Sequence, residues 1–127
     1  MPRVLVVDED GTARRALVVA LALDGFEVFV ARSSAEALSI LLTKAEIDVA
    51  LIDLMMAGLN GLELARCIRR SHPGVRVVLT SAYHLSARQV ERADCGAVGF
   101  VPKPYKVAEV CEFLRAKADT YSERVSG

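Results

Sequence analysis

Five short apolar runs rich in β-branched residues recur along the chain, at Val4 to Val7, Val28 to Val30, Val49 to Ile52, Val75 to Leu79 and Val98 to Val101. Each predicts a strand. Between them the apolar positions repeat at helical spacing: Ala37, Leu38, Leu41 and Leu42 after Ser34; Leu62, Leu64, Ala65 and Ile68 after Asn60; and Ala87 to Ala93 after Ser86. Val107, Val110, Cys111 and Leu114 share one face of a last helix. Ser34, Asn60 and Ser86 are expected to cap the first free amides of their helices, and Gly25, Gly74 and Gly96 to stop helices. Strands that alternate with helices predict right-handed crossovers and a parallel sheet with helices on both faces. The strands show no polar alternation, as expected where both faces are buried. In such sheets ligands sit beyond the carboxyl ends of the strands, so chemistry is sought there.

The 127 residues hold one domain, read as 1–118, followed by a polar, patternless stretch over 119–127 that reads as a tail or linker stub. Sixteen basic and sixteen acidic side chains cancel. Such a balance provides no field for wrapping nucleic acid or an anionic membrane, so neither direct nucleic-acid contact nor membrane contact is expected. The longest apolar run, Ala16 to Leu23, has eight residues and cannot span a bilayer. Only four apolar residues separate Arg3 from Asp8, too few for a secretory signal core. Cys67, Cys95 and Cys111 form no metal or redox spacing and read as reduced thiols of a cytoplasmic protein. The run Ala16 to Leu23 is nonetheless unusual for a surface helix, which should carry a polar face. Val18, Val19, Ala22 and Leu23 are expected outward or at the rim, as a surface for a partner or a second copy.

Carboxylates and an ammonium gather at the predicted strand ends. Asp8, Glu9 and Asp10 follow the first strand, Asp53 the third, Thr80 and Ser81 the fourth, and Lys103 lies between Pro102 and Pro104 after the fifth. Acids converging from neighbouring strands repel unless a hard cation lies between them, and an all-oxygen donor set suits Mg²⁺. Mg²⁺ with a lysine is an arrangement for holding a phosphoryl group. His72 and His84 have no second ligand at metal spacing and read as surface residues. The arginines at 66, 69, 70, 76, 88 and 92 read as a solvated face, with docking of an acidic partner as the sharper alternative.

In the segments Val4 to Glu9, Ala50 to Asp53, Asn60 to Leu64, Leu79 to Ala82 and Gly99 to Pro104, the chain resembles response-regulator receiver domains, the chemotaxis-regulator-like family of two-component signalling. The resemblance covers about Arg3 to Ala118. It implies an α/β, flavodoxin-like (βα)₅ fold: a five-stranded parallel sheet in the order 2-1-3-4-5. It also implies that Asp53 takes a phosphoryl group from a sensor histidine kinase or a histidine phosphotransfer protein. Mg²⁺ would be held by Asp8, Glu9, Asp53 and the Met55 backbone carbonyl. Lys103 would place its charge against Asp53, and Pro104 matches the family's cis proline. Ser81 would bond the phosphoryl group and, by moving inward, let Phe100 rotate, biasing an output surface on the fourth helix, fifth strand and fifth helix. Thr80 reads as a packed strand residue, although one register step exchanges it with Ser81. Such a domain catalyses only its own phosphorylation and dephosphorylation. It is not otherwise an enzyme, and it works alone, as a homodimer, or with an effector domain in a longer chain.

Three departures qualify the resemblance. Ala57 stands where the family usually has proline, so the loop is expected to be less rigid. Glu9 replaces the more frequent aspartate. Met55 and Tyr83 are bulky beside the path of a hydrolytic water, so slow loss of the phosphoryl group is expected. Two other readings compete. Asp8 to Thr12 resembles the nucleophile motif of haloacid-dehalogenase-type phosphatases, with Asp8 as nucleophile and Asp10 as acid, but this leaves Asp53 unexplained and lacks a later acidic motif. A pseudo-receiver would keep the fold without being phosphorylated.

Overall fold

The computed structural model describes residues 1–43, 46–56, 60–83 and 85–126, with side chains as far as residue 119. The readings placed on Ala57 and His84 lie outside the described residues. The elements alternate as β1 (Arg3–Val7), α1 (Gly11–Leu23), β2 (Glu27–Ala31), α2 (Ser34–Thr43), β3 (Val49–Asp53), α3 (Gly61–Ser71), β4 (Arg76–Ser81), α4 (Ala87–Ala93), β5 (Ala97–Pro102) and α5 (Val107–Ser126). Four of the predicted apolar runs lie within strands, and the fourth in chain order, read from Val75, does so from Arg76, where β4 begins. The strands are parallel in the order β2-β1-β3-β4-β5, the flavodoxin-like order expected.

Successive strand residues point to opposite faces, and the core is divided accordingly. Leu5, Val7, Ala50 and Ile52 pack with Ala37, Leu41, Leu64 and Ile68 of α2 and α3 on one face. Val4, Val6, Val49 and Leu51 pack with Leu17, Leu21, Val110 and Leu114 of α1 and α5 on the other. All five residues of β3 are buried, so this strand carries its terminal Asp53 out of the centre of the sheet.

The caps differ in part from the expectation. The side chains of Asn60 and Ser86 do cap α3 and α4, and the Ser86 N–H in return donates to the Gln89 side-chain oxygen. At α2, however, Ser33 accepts the Glu36 N–H at 3.1 Å, while Ser34 is buried as the first helical residue. The cap is therefore one residue earlier than read, because Ser34 is turned into the core. Gly25 and Gly96 have the left-handed backbone (φ 93° and 77°) that suits a chain leaving a helix. Gly74 does not play that part, since α3 already ends at His72. Beyond Ala118, which is buried, the backbone of α5 stays helical through residue 126, where the sequence read as a patternless tail. No helix among the described residues is long and apolar enough to cross a membrane.

Two surface readings can be placed. On α1, Leu17 and Leu21 are buried, whereas Val19 is 59% and Leu23 85% exposed, so the outward apolar face exists. The basic stretch is partly used internally. Arg66 donates to the Ala93 carbonyl and Arg69 pairs with Asp94 at 3.0 Å, tying α3 to the end of α4.

Candidate functional site

Register brings the predicted residues together. Val7 pairs with Ile52, so the next residues, Asp8 and Asp53, leave adjacent strands side by side. Ser81 pairs with Pro102, and the Lys103 N–H donates to the Ser81 carbonyl at 2.9 Å, which sets Lys103 beside them. The Lys103 Nζ then donates to Asp8 Oδ2 and to Asp53 Oδ2, each at 2.9 Å. Asp8 and Asp53 are only 4% and 6% exposed, so this ammonium bridges two nearly buried carboxylates. Burial alone would lower the lysine's pKa, but its hydrogen bonds to Asp53 and Asp8, together with their charges, push it up to about 12. Lys103 is therefore a fixed cation at any ordinary pH. The resemblance led us to expect it against Asp53 alone; the bridge to Asp8 follows from the neighbouring strand.

Each remaining group is tied locally. The Asp8 N–H donates to the Ala31 carbonyl at 3.1 Å, and Asp8 Oδ1 accepts the Asp10 N–H at 2.9 Å. Asp53 Oδ1 accepts the Met55 N–H at 3.0 Å. Gly61, the first residue of α3, comes so close that a Cβ there would lie 2.6 Å from the Asp53 carbonyl oxygen. Only glycine permits that approach, a requirement the sequence pattern did not reveal. Asp10 is exposed and caps α1 by accepting the Thr12 and Ala13 N–H groups. An aspartate directly before a helical run was a signal for that role.

Ser81 is buried and its Oγ accepts the Tyr83 N–H at 3.1 Å, while Thr80 Oγ1 donates to the Val101 carbonyl. Thr80 is thus the packed strand residue of the pair. Phe100 is half-buried against the α2 and α3 side of the core. The Lys103–Pro104 peptide is cis. The Tyr105 phenol is raised by burial and then by the Asp8 charge. Glu9 is exposed, and among the described residues no three acidic, histidine or cysteine side chains gather as they would around an ion. The donor chemistry nevertheless fits a hard dication, because two carboxylates converge on one point.

The profile of the response regulator receiver domain matches residues 4–115. The chain belongs to this family. As a receiver domain of two-component signalling, it is 32% identical over 114 residues to the response regulator MprA of Mycobacterium sp. (strain KMS), covering 90% of this chain and 49% of that protein. It thus spans about half the length of the curated relatives it matches. Among solved structures, the signal receiver domain of the putative response regulator NarL from Mycobacterium tuberculosis is 33% identical, with a TM-score of 0.82 over 93% of this chain and 96% of that one. A response regulator from Thermotoga maritima is 31% identical, with a TM-score of 0.82 over 94% and 98% of the two chains. The CheY-like receiver domain protein of Methanospirillum hungatei JF-1 has a TM-score of 0.89 over 98% of each chain, and at 23% identity it speaks for the fold alone.

Proposed function

We propose that this receiver domain accepts a phosphoryl group on Asp53 from a histidine kinase or histidine phosphotransfer protein and so switches an output surface. The observation that carries the reading is the single lysine bridging Asp8 and Asp53 at 2.9 Å. An ammonium held between two carboxylates stands where the charge of an incoming phosphoryl group must be met. Asp53 attacks phosphorus as a carboxylate; the new O–P bond forms as the donor's P–N bond breaks, and the leaving imidazole takes up a proton from solvent. Lys103, already fixed by Asp8, then pairs with the phosphoryl oxygens. Ser81, now bonded to the Tyr83 N–H, turns its hydroxyl toward the same group, and Phe100 follows into the space released.

Asp8, Glu9, Asp53 and the Met55 carbonyl are the groups that would hold Mg²⁺. When bound, the ion neutralises the phosphoryl oxygens so that an anion can be attacked by an anion. A cavity of about 340 Å³ opens beside Lys103, with Ala13, Ala16, Pro104 and Val107 among its walls. With the exposed apolar face of α1, it forms the landing surface for the phosphodonor. Met55 and Tyr83, 56% and 66% exposed, flank the site and slow hydrolysis; a phosphoryl half-life of seconds would count against this. The domain boundary at 118, a cytoplasmic location and an effector region in a longer chain belong to the same proposal.

The phosphatase reading loses support at Asp10, whose carboxylate caps α1 and so does not stand ready as a general acid. Beryllofluoride or acetyl phosphate with Mg²⁺, applied to wild type and Asp53→Asn, tests the assignment. Modification at Asp53 that the substitution abolishes is the expected result. Modification at Asp8 would indicate the phosphatase, and none at all the pseudo-receiver.

A further inference from the structure

The connector between β1 and α1 carries both members of the acidic pair, Asp8 and Glu9, yet belongs to neither regular element. β1 ends at Val7 and α1 begins at Gly11. The Asp8 N–H still reaches the Ala31 carbonyl, as if β1 continued one step. Its side chain is held at both oxygens, Oδ1 by the Asp10 N–H and Oδ2 by Lys103. The Asp8 carbonyl falls outside both the strand ladder and the helix. It is met by a side chain, with Arg14 Nη1 donating to it at 2.6 Å.

Arg14 is itself well anchored. It lies half-buried on the second turn of α1, and its own N–H donates to the Asp10 carbonyl at 3.0 Å. Asp10 in turn accepts the Thr12 and Ala13 N–H groups. The connector is therefore closed at one end by helix capping and at the other by a charge-assisted bond to a main-chain oxygen, stronger than a neutral one. That oxygen belongs to the peptide joining Asp8 to Glu9. Its orientation sets the direction in which the chain leaves Asp8, and hence where Glu9 is presented.

We infer that Arg14 is a positioning residue for the acidic pair, holding the Asp8–Glu9 peptide from which both side chains depart and so setting how tightly the pair takes an ion. This rests on the phosphoacceptor reading insofar as that reading assigns Mg²⁺ to these residues. The inference opposes simple electrostatics, which makes it easy to test. Deleting a cation beside an acidic pocket should tighten Mg²⁺ binding by charge alone. Deleting a positioning residue should weaken it, and outer groups of this kind typically account for 10- to 100-fold in metal affinity.

The experiment is a calorimetric Mg²⁺ titration of the full chain as wild type, Arg14→Ala, Arg14→Lys and Arg15→Ala. Arg15 is the exposed neighbour and removes the same charge without touching Asp8. Weakening by about tenfold in Arg14→Ala, partial recovery in Arg14→Lys and no weakening in Arg15→Ala is the expected pattern. The amide resonances of Glu9 and Asp10 should shift in Arg14→Ala and stay in place in Arg15→Ala. Should Arg14→Ala fail to fold, Arg14→Lys is judged against Arg15→Ala on the same two measurements. Equal or tighter Mg²⁺ binding in the Arg14 variants overturns the inference, as does a wild type that binds no Mg²⁺. Beryllofluoride labelling of Asp53, run alongside, reports separately on the phosphoacceptor reading: Mg²⁺ binding without labelling defeats that reading and leaves Arg14 judged by the titration.

Discussion

At the amino end of the sheet, Arg3 Nε meets Glu27 Oε2 at 2.9 Å, with 37% and 45% of the two side chains exposed. At the carboxyl end, Lys103 meets Asp8 and Asp53 at the same distance, with the acid side chains only 5% and 9% exposed. Equal lengths conceal unequal physics. In the first pair water screens the charges and already solvates each partner, so the bond adds little. In the second, two carboxylates have given up most of their water and repel each other across a small gap. The ammonium is what makes their burial tolerable, so removing it leaves charge without compensation. The molecule thus keeps an inert ion pair at one end of its strands and a poised one at the other, and only the latter can respond when a further charge arrives.

Substitutions should expose that contrast in descending order. Lys103→Met is expected to cost about 3 kcal/mol in denaturant unfolding, because it strands two nearly buried carboxylates. The same pair of proteins gives a pH test. With its pKa raised from 10.5 to about 12, Lys103 favours the folded state fully below pH 10.5, and that contribution is lost as pH rises through about 12. The stability gap between wild type and Lys103→Met should therefore be constant through neutral pH and shrink across that window. A gap that closes near pH 7 would mean that the bridge is not the cause.

Next comes Gly61→Ala, where the new Cβ would fall 2.6 Å from the Asp53 carbonyl oxygen and 2.7 Å from Leu54 Cα. Both contacts are backbone, so α3 has to retreat from the end of β3, at about 2 kcal/mol. Movement of Asp53 should slow its labelling as well, and unchanged stability and labelling would show that the close approach is dispensable. Smallest is Glu27→Gln, expected to change stability by less than about 0.5 kcal/mol, an effect that salt erodes further. A loss comparable to that of Lys103→Met would erase the distinction between the two ends.

Much of the site is legible in the sequence. Asp53 stands at the end of a wholly apolar run, and a carboxylate there has no packing role to explain it. Lys103 between two prolines and Asp8 after β1 fall at equivalent ends of other strands. Less was visible where contacts depend on neighbours far along the chain. Ser33 and Ser34 are equivalent as caps by sequence, and the choice was made by which one the core buries. Gly61 looked like an ordinary residue after the Asn60 cap; its need for a bare Cα arises from Leu54 and Asp53 beneath it. Nothing in the sequence singles out Arg14, which the turn of α1 brings over the Asp8 carbonyl.

The order of elements, the two-faced burial of the strands and the types of group at their carboxyl ends were determined by the sequence itself, because periodicity and apolar runs are local properties. Which carboxylate meets which cation was decided only by the tertiary structure. β1 and β3 lie side by side although more than forty residues separate them, and the register that sets Val7 against Ile52 is what places one ammonium between Asp8 and Asp53. Pairing at that distance along the chain depends on the whole sheet closing, and no segment carries it alone.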